Sequence, residues 1–377
     1  MRGDGGSRAF LLHAAPERRT RKPTEFVESR GLHLREMRTR PPDGIDDTAP
    51  CAKKTSTLDT GIRDKYTARY GMGRGPCRIF QPYMKDGFMG VTEVPLVWLQ
   101  AGGCSGCSVS LLNSDVPPIR RVLLDPILPD VHLNLKYHPT IMAGQGAEAA
   151  GILRDVAAGE GHIVIVEGAI PGDGEFCSIG SADGEVSVRR QFLDLAVGAQ
   201  LVVAVGTCAS FGGISAAEPN PGGYRELSHV MDEEGVGVPL VRVPGCPPHP
   251  DWMTTALVEF LSAEGPEDVD LDEWDRPKSV YGQLIHENCP RRSYFDEGDF
   301  AAEPGDPECL HEVGCKGPIT RADCPLREWN SGTSWCIKGG GPCQGCVEPG
   351  YPDETTPFYR ELPEDALPRI GEEAEEK

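Results

Sequence analysis

Long apolar runs, aromatic residues and basic residues are all scarce in this sequence of 377 residues. No stretch approaches the roughly 18 apolar residues that a transmembrane helix needs, which argues against a membrane span. Aromatic residues make up only 7%, so a core must be built mainly from aliphatic side chains. Lys and Arg total 37 against 58 Asp and Glu, a formal net charge of −21. Such a chain repels nucleic acid, and the simplest meaning of its acidity is solubility.

The N-terminal residues show no secretory leader. The apolar patch Ala9–Leu12 is too short for a signal-peptide core, and polar residues follow Arg18 and Arg19, where a twin-arginine signal needs an apolar run. We therefore expect a cytoplasmic protein, either free or attached through partners to the inner face of the membrane. Thiols stay reduced in the cytoplasm, so the 14 cysteines are expected to be metal ligands rather than disulfides.

The two ends of the chain have the composition of poorly ordered segments. Residues 1–90 are rich in Arg, Pro, Gly and Asp without a sustained period, and residues 361–377 form an acidic tail. Translation starting at an internal methionine is an alternative explanation of the first segment. Cys51 and Cys77 lie within it and are expected to be unligated.

Between these ends, strand patterns alternate with helix patterns up to about residue 268. This alternation predicts an α/β fold, a doubly wound parallel sheet with helices on both faces. Residues 91–268 form that predicted domain, and residues 269–360 form an irregular C-terminal domain dominated by Gly, Pro and Cys. The predicted strands are Val94–Gln100, His132–Tyr137, His162–Val166, Leu201–Val205 and Pro239–Val243, and the predicted helices are Ala147–Ala158, Phe192–Val197 and Asp251–Ala263.

Four cysteines follow the ends of predicted strands, and we name them the sheet-edge group: Cys104, Cys107, Cys208 and Cys246. Because the carboxyl ends of parallel strands share one edge, the sheet would bring these thiols together. Neighbouring glycines suit close approach of the backbone to an inorganic cluster. Four thiolates can bind zinc or an iron–sulfur cluster, and their number does not choose between the two.

A second cysteine field lies in the C-terminal segment and supplies eight ligands, enough for two further sites. A histidine would raise the reduction potential of a cluster that it ligates. The alternative is a pair of structural zinc sites. We name the two sets the His286 group (His286, Cys289, Cys309, Cys315) and the Cys336 group (Cys324, Cys336, Cys343, Cys346).

With these residues in view, the chain resembles the small subunit of NiFe hydrogenases from about residue 95 to residue 359. The resemblance implies a flavodoxin-like domain followed by an iron–sulfur-rich domain. It also implies a chain without catalytic residues of its own, active only with a separate large subunit that holds the nickel–iron centre. The matching stretches are WLQAGGCSGCS, YHPTIMAGQG, IVEGAIP, VGTCASFGGISAAEPNPGG, VPGCPPHP, HENCPRRSYFDEGDF, CLHEVGCKGP, DCPLREWNSG and GPCQGCVEPGYPD.

The same resemblance implies an electron relay through three clusters, with hydrogen oxidation favoured over production. The sheet-edge group would bind a proximal 4Fe-4S cluster, with Glu167 beside it, and the His286 group a distal 4Fe-4S cluster. Cys324, Cys343 and Cys346 would bind a medial cluster. The electron acceptor is not visible in the sequence; a membrane-associated, quinone-linked protein and a soluble carrier both fit.

Some positions depart from the family pattern. Many members have a 3Fe-4S medial cluster and a proline near the position of Cys336. Because this chain has a cysteine there, we expect Cys336 to be the fourth ligand of a 4Fe-4S cluster. The alternative is that Cys336 is unligated and the cluster is 3Fe-4S. Gly106 and Gly213 replace the extra cysteines of oxygen-tolerant members, and Val109 replaces a usual acidic residue. Cys177 is expected to be a structural thiol.

Two other functions remain as alternatives. The related cluster-bearing subunit of respiratory complex I has only a proximal-type cluster, so the second cysteine field argues against it. A zinc-stapled binding module would have no redox role and would contain no iron.

Overall fold

The computed structural model describes residues 91–115, 117–172, 176–181 and 184–362. The predicted N-terminal extension, Cys51, Cys77 and nearly all of the acidic tail lie outside these ranges.

A parallel sheet of five strands organises the first part of the described chain, in the order β2-β1-β3-β6-β7. Apart from the hairpin, this is the strand order of flavodoxin-like folds, in which the connection reverses direction between the first and third strands. Strands β4 and β5 form a separate antiparallel hairpin. The strands are β1 (Thr92–Gln100), β2 (Val131–Tyr137), β3 (His162–Glu167), β4 (Ser178–Ser181), β5 (Gly184–Ser187), β6 (Ala199–Val205) and β7 (Leu240–Val243).

Helices connect and cover these strands. Ser187 caps α4 by accepting a hydrogen bond from the Arg190 backbone N–H, and His249 caps α8 in the same way. The helices are α1 (Gly106–Leu112), α2 (Ile119–Leu124), α3 (Gly146–Ala157), α4 (Val188–Ala196), α5 (Gly206–Phe211), α6 (Gly213–Ala216), α7 (Leu227–Glu234), α8 (Pro250–Ser262), α9 (Lys278–Tyr281), α10 (Arg292–Glu297) and α11 (Cys324–Arg327), with 3-10 turns at Pro266–Asp268, Ile285–Asn288 and Gly317–Ile319.

The sheet is buried on both faces, as its continuous apolar strands require. Successive residues of β1 alternate between two cores: Trp98 faces one and Leu99 the other. Helix α8 packs on the Trp98 side through Trp252, while α4 packs on the Leu99 side through Phe192. The predicted α/β class is therefore confirmed.

The segment after residue 268 extends the core on the Trp98 side. Tyr281 is fully buried, and its ring lies edge-on to Trp252 with centroids 5.5 Å apart. Between its short helices the backbone runs in loops held by partly buried polar contacts. Arg291, for example, donates to the carbonyls of Asp306 at 2.6 Å and Glu308 at 2.7 Å. Within the described ranges no helix combines the length and the apolarity that crossing a membrane would take.

Candidate metal centres

The sheet brings the sheet-edge group together at the carboxyl edge of its strands. Cys104 and Cys107 follow β1, Cys208 lies in α5 directly after β6, and Cys246 follows β7. Burial raises the pKa of the Cys107 thiol well above its usual range, and the nearby thiols of Cys208, Cys104 and Cys246 add to the shift. The four side chains are therefore neighbours, as their positions after the strands predicted.

Two glycines leave space for sulfur at this edge. A Cβ on Gly206 would lie 2.5 Å from the Cys107 Sγ, and Gly206 also has a φ of +84°. A Cβ on Gly106 would lie 3.1 Å from the Cys104 Sγ. A side chain at Gly206 would overlap the Cys107 sulfur, so glycine is needed there, whereas at Gly106 the contact is only tight.

Glu167 ends β3 behind the sheet-edge group and is 2% exposed. Its Oε1 accepts hydrogen bonds from the backbone N–H groups of Cys107 at 2.9 Å and Ser108 at 3.2 Å. Its Oε2 accepts from Trp98 Nε1 at 3.0 Å, from Gln100 Nε2 at 3.2 Å and from the Ser108 hydroxyl. The buried carboxylate thereby fixes the start of α1, which carries Cys107.

His138 continues this network and was missed by sequence reasoning. Its Nδ1 accepts from the Thr140 backbone N–H at 3.2 Å, so its Nε2 carries the proton that faces Ser108 Oγ at 3.3 Å. Burial lowers the pKa of His138 to about 4, which keeps the ring neutral despite the opposing charge of Glu167. The only sequence signal was the position of His138 in the stretch YHPTIM.

The His286 group lies in the C-terminal segment. The pKa of Cys315 is raised to about 11, mainly by burial and in smaller part by the neighbouring thiols of Cys289 and Cys309, while the Gly317 backbone N–H opposes the shift by donating to Cys315 Sγ at 3.4 Å. Burial also lowers the pKa of His286 to about 4. A neutral imidazole is the form that can ligate a metal.

The His286 ring carries a buried nitrogen that no described residue pairs with. Its Nε2 has no hydrogen-bond partner among the described residues, and the ring lies edge-on to Phe295 with centroids 4.6 Å apart. A buried polar nitrogen without a partner is costly in a folded protein, and metal ligation by the ring would account for an imidazole at this place.

The Cys336 group contains the residue whose role was left open. Burial raises the pKa of Cys324 well above its usual range, with further contributions from the thiols of Cys346 and Cys336. Burial likewise raises the pKa of Cys346 to about 12, and Cys336 is again among the neighbours that contribute. Cys343 adjoins Cys346. The structure thus places Cys336 beside Cys324 and Cys346.

Backbone groups connect the three sets directly. The hydroxyl of Thr207, which directly precedes Cys208, donates to the Cys346 carbonyl. At the other side, the Lys316 N–H donates to the Cys343 carbonyl at 2.7 Å, and Lys316 follows Cys315 in the chain. The Cys336 group therefore lies between the other two.

The described cysteines form no disulfide and no compact site for a single metal ion. Over the part of the chain that the structure describes, no three His, Cys, Asp or Glu side chains lie close enough together to hold one metal ion. All twelve described cysteines are free thiols.

Two family models match the chain. Residues 281–359 match the C-terminal model of the NiFe/NiFeSe hydrogenase small subunit. Residues 104–260 match the model of the NADH ubiquinone oxidoreductase 20 kDa subunit, the rival considered above. The model of the complex I subunit thus matches only the part of the chain that contains the sheet, whereas the hydrogenase model matches the C-terminal segment with the second cysteine field.

Curated relatives span most of the chain. The periplasmic NiFeSe hydrogenase small subunit of Desulfomicrobium baculatum is 41% identical over 302 residues, covering 76% of this chain and 94% of the relative. The periplasmic NiFe hydrogenase small subunit 1 of Nitratidesulfovibrio vulgaris is 38% identical over 301 residues, covering 76% and 88%.

Solved structures agree with these relatives. A reduced, active form of the Ni-Fe-Se hydrogenase from Desulfomicrobium baculatum matches with a TM-score of 0.68 and 42% identity, covering 72% of this chain and all of that chain. The actinobacterial-type NiFe-hydrogenase from Ralstonia eutropha H16 matches with a TM-score of 0.66 and 34% identity, covering 73% and 84%.

These relatives correct one expectation and establish the family. The expected cytoplasmic location was wrong, because the relatives from Desulfomicrobium baculatum, Nitratidesulfovibrio vulgaris and Solidesulfovibrio fructosivorans are named periplasmic subunits. A leader is removed from the mature protein, so the residues of the folded body do not reveal the compartment. Identity above 30% over more than two thirds of the chain is decisive for ancestry. The chain belongs to the small-subunit family of NiFe hydrogenases and is a hydrogenase subunit.

Proposed function

We propose that this subunit relays electrons between the nickel–iron site of a separate large subunit and an external acceptor, through three iron–sulfur clusters. The observation that carries the proposal is the continuous series of sheet-edge, Cys336 and His286 groups, joined by the Thr207–Cys346 and Lys316–Cys343 hydrogen bonds. Iron–sulfur clusters bound there would supply one-electron redox chemistry. The chain itself provides ligands, hydrogen bonds to sulfur and burial from water.

Each group has a proposed cluster. The sheet-edge group holds a proximal 4Fe-4S cluster, with Glu167 orienting the start of α1, which carries Cys107. The His286 group holds a distal 4Fe-4S cluster. By this assignment residues 91–268 form the domain of the proximal cluster and residues 269–360 form the domain of the other two.

For the Cys336 group we propose a 4Fe-4S medial cluster with four cysteine ligands. The proximity of Cys336 to Cys324 and Cys346 supports a fourth ligand. Electron paramagnetic resonance of the oxidised complex tests the count: wild type should lack a full-occupancy 3Fe-4S signal, and Cys336→Ala should acquire one. A full-occupancy 3Fe-4S signal in wild type would refute the fourth ligand.

The large subunit is proposed to cover the sheet edge. Large apolar side chains are exposed there on short helices: Val109 is 62% exposed and Leu112 45% exposed on α1, and Ile214 is 56% exposed on α6. Exposed apolar residues grouped beside a functional site mark an interface. The face next to the sheet-edge group is thus the proposed contact that receives electrons from the nickel–iron site.

Hydrogen oxidation is the proposed direction. A relative from Azotobacter vinelandii, 37% identical over 312 residues, is named an uptake hydrogenase small subunit. A relative from Wolinella succinogenes, 36% identical over 274 residues, is named quinone-reactive. A quinone-linked membrane protein is therefore a proposed acceptor, with a soluble carrier as the alternative.

The experiment uses the complex of this chain with its large subunit, purified without oxygen. Hydrogen-dependent dye reduction should be lost in Cys246→Ser, which should still show the signal of the distal cluster. Cys177→Ser is the matched control and should keep activity and all clusters. Zinc without iron in the wild-type complex, or hydrogen oxidation by this chain alone, would contradict the proposal.

A further inference from the structure

Lys316 is a buried cation between two ligand groups. It follows Cys315 directly and is 3% exposed. Its Nζ donates to the Gly314 carbonyl at 3.0 Å and to the Arg360 carbonyl. Both acceptors are neutral, so its own hydrogen bonds bring no negative charge to the ammonium group.

Lys316 differs in this respect from the other buried cationic side chains. Arg276, 1% exposed, pairs with Asp272 at 2.7 Å and Glu348 at 3.3 Å. Arg242, 4% exposed, lies 3.6 Å from Glu226. No carboxylate of the described residues lies within ion-pair distance of Lys316.

An isolated buried charge is strongly unfavourable unless an opposite charge compensates for it. The groups beside Lys316 that would become negative, as thiolates bound to a cluster, are Cys315, which directly precedes it in the chain, and Cys343. Cys343 is also tied to Lys316 through the backbone hydrogen bond of 2.7 Å. Cys315 belongs to the His286 group and Cys343 to the Cys336 group, so the one ammonium group of Lys316 lies beside a member of each group.

We propose that Lys316 is a charge-compensating residue that raises the reduction potentials of the clusters in the His286 and Cys336 groups. This inference rests on the proposed function, which places clusters at those cysteines. Net charge near a cluster is one determinant of its potential, and a nearby cation favours the reduced, more negative form. Lys316 thereby makes the medial and distal clusters better electron acceptors for electrons that leave the sheet-edge group.

The test is a redox titration of the whole hydrogenase complex, followed by electron paramagnetic resonance. Lys316→Met replaces the ammonium with a neutral chain of similar length. At a fixed potential, the ratio of reduced to oxidised cluster should fall about tenfold in the His286 and Cys336 groups, which is about 59 mV for a one-electron couple. The sheet-edge cluster should titrate as in wild type.

Two variants separate charge from structure. Lys316→Arg keeps the charge and should keep both potentials close to wild type. Lys278→Met removes an exposed lysine that pairs with Asp270 at 2.7 Å, and it should leave every cluster unchanged. If Lys316→Met fails to assemble, Lys316→Gln, which keeps N–H donors without the charge, should show the same fall.

The outcomes distinguish this inference from the function on which it rests. Wild-type complex without clusters in these groups would refute the proposed function itself. Clusters that are present in Lys316→Met or Lys316→Gln but titrate as in wild type would overturn the role of Lys316 alone. A fall of equal size in Lys316→Arg would also overturn it, because the charge would then not be the cause.

Discussion

Replacing Glu167 with glutamine should destabilise the protein through hydrogen-bonding geometry alone. The carboxylate accepts on both oxygens, two N–H groups at Oε1 and three donors at Oε2. An amide has one accepting oxygen and one NH₂ group that only donates. Whichever way it turns, the NH₂ group faces at least two donors in the buried site.

The size of the effect follows from that count. Each buried donor left without an acceptor costs about 1–3 kcal/mol, so Glu167→Gln should cost about 2–6 kcal/mol. A typical protein is stable by only about 5–15 kcal/mol, so the loss should be plain in the thermal unfolding of the complex. Glu185→Gln is the matched control, because Glu185 is exposed and accepts from Ser178 Oγ at 3.1 Å.

A double-mutant cycle with Trp98→Phe tests the stated cause. The Trp98 indole N–H is one of the donors to Oε2, and phenylalanine removes it. If the NH₂ group of the new glutamine faces Trp98, removal of the indole N–H should cost less than in wild type, with a coupling of about 0.5–3 kcal/mol. If the NH₂ group instead faces the backbone N–H groups of Cys107 and Ser108, the two substitutions should be additive. The reasoning is refuted if Glu167→Gln unfolds at the same temperature as Glu185→Gln and wild type.

Two further predictions concern the sheet edge and the exposed side of β1. Gly206→Ala should lower the iron content of the complex, because its Cβ would lie 2.5 Å from Cys107 Sγ. Gly235 has a φ of +67° and open space around it, so the control Gly235→Ala should keep its iron and lower the free energy of unfolding by about 1–2 kcal/mol. Equal iron contents in the two variants would contradict the prediction. A hydrogen bond with Glu93 raises the pKa of His132, so its stabilisation is present below about pH 6.5 and lost as pH rises through the raised value. Glu93→Gln should therefore lower the melting temperature more at acidic pH than at a pH above the raised pKa of His132. An equal decrease at the two pH values would refute the link between His132 protonation and stability.

Much of the sheet was predictable because strand periodicity and buried runs are local signals. The predicted strands His162–Val166 and Leu201–Val205 differ from β3 and β6 by only one or two residues at their ends. Helix α4 begins four residues before the predicted start at Phe192, because Ser187 caps it at a polar stretch that shows no apolar period. The β4–β5 hairpin was missed, since its short, small and polar strands lack that signal.

The chemistry of the site was less predictable, because it depends on contacts between distant parts of the chain. Cysteine spacing after strands was enough to anticipate that Cys107 and Cys208 would be neighbours. Nothing in the local sequence shows that His138 reaches Ser108, or that Lys316 is buried without a carboxylate. Partnerships of that kind arise from tertiary packing, which a residue pattern does not encode.

The contacts between the groups explain why an irregular segment can still hold a defined order of sites. The Cys346 carbonyl accepts from the hydroxyl of Thr207, the neighbour of Cys208, so the Cys336 group is positioned by the sheet edge. Cys315 is followed by Lys316, whose N–H donates to the Cys343 carbonyl, so the His286 group is positioned by the Cys336 group in turn. Each set is thus held in place by residues in or beside the previous set. Because the residues that would hold each cluster also set its distance to the next, the same contacts determine both the fold of this segment and the proposed path of the electrons.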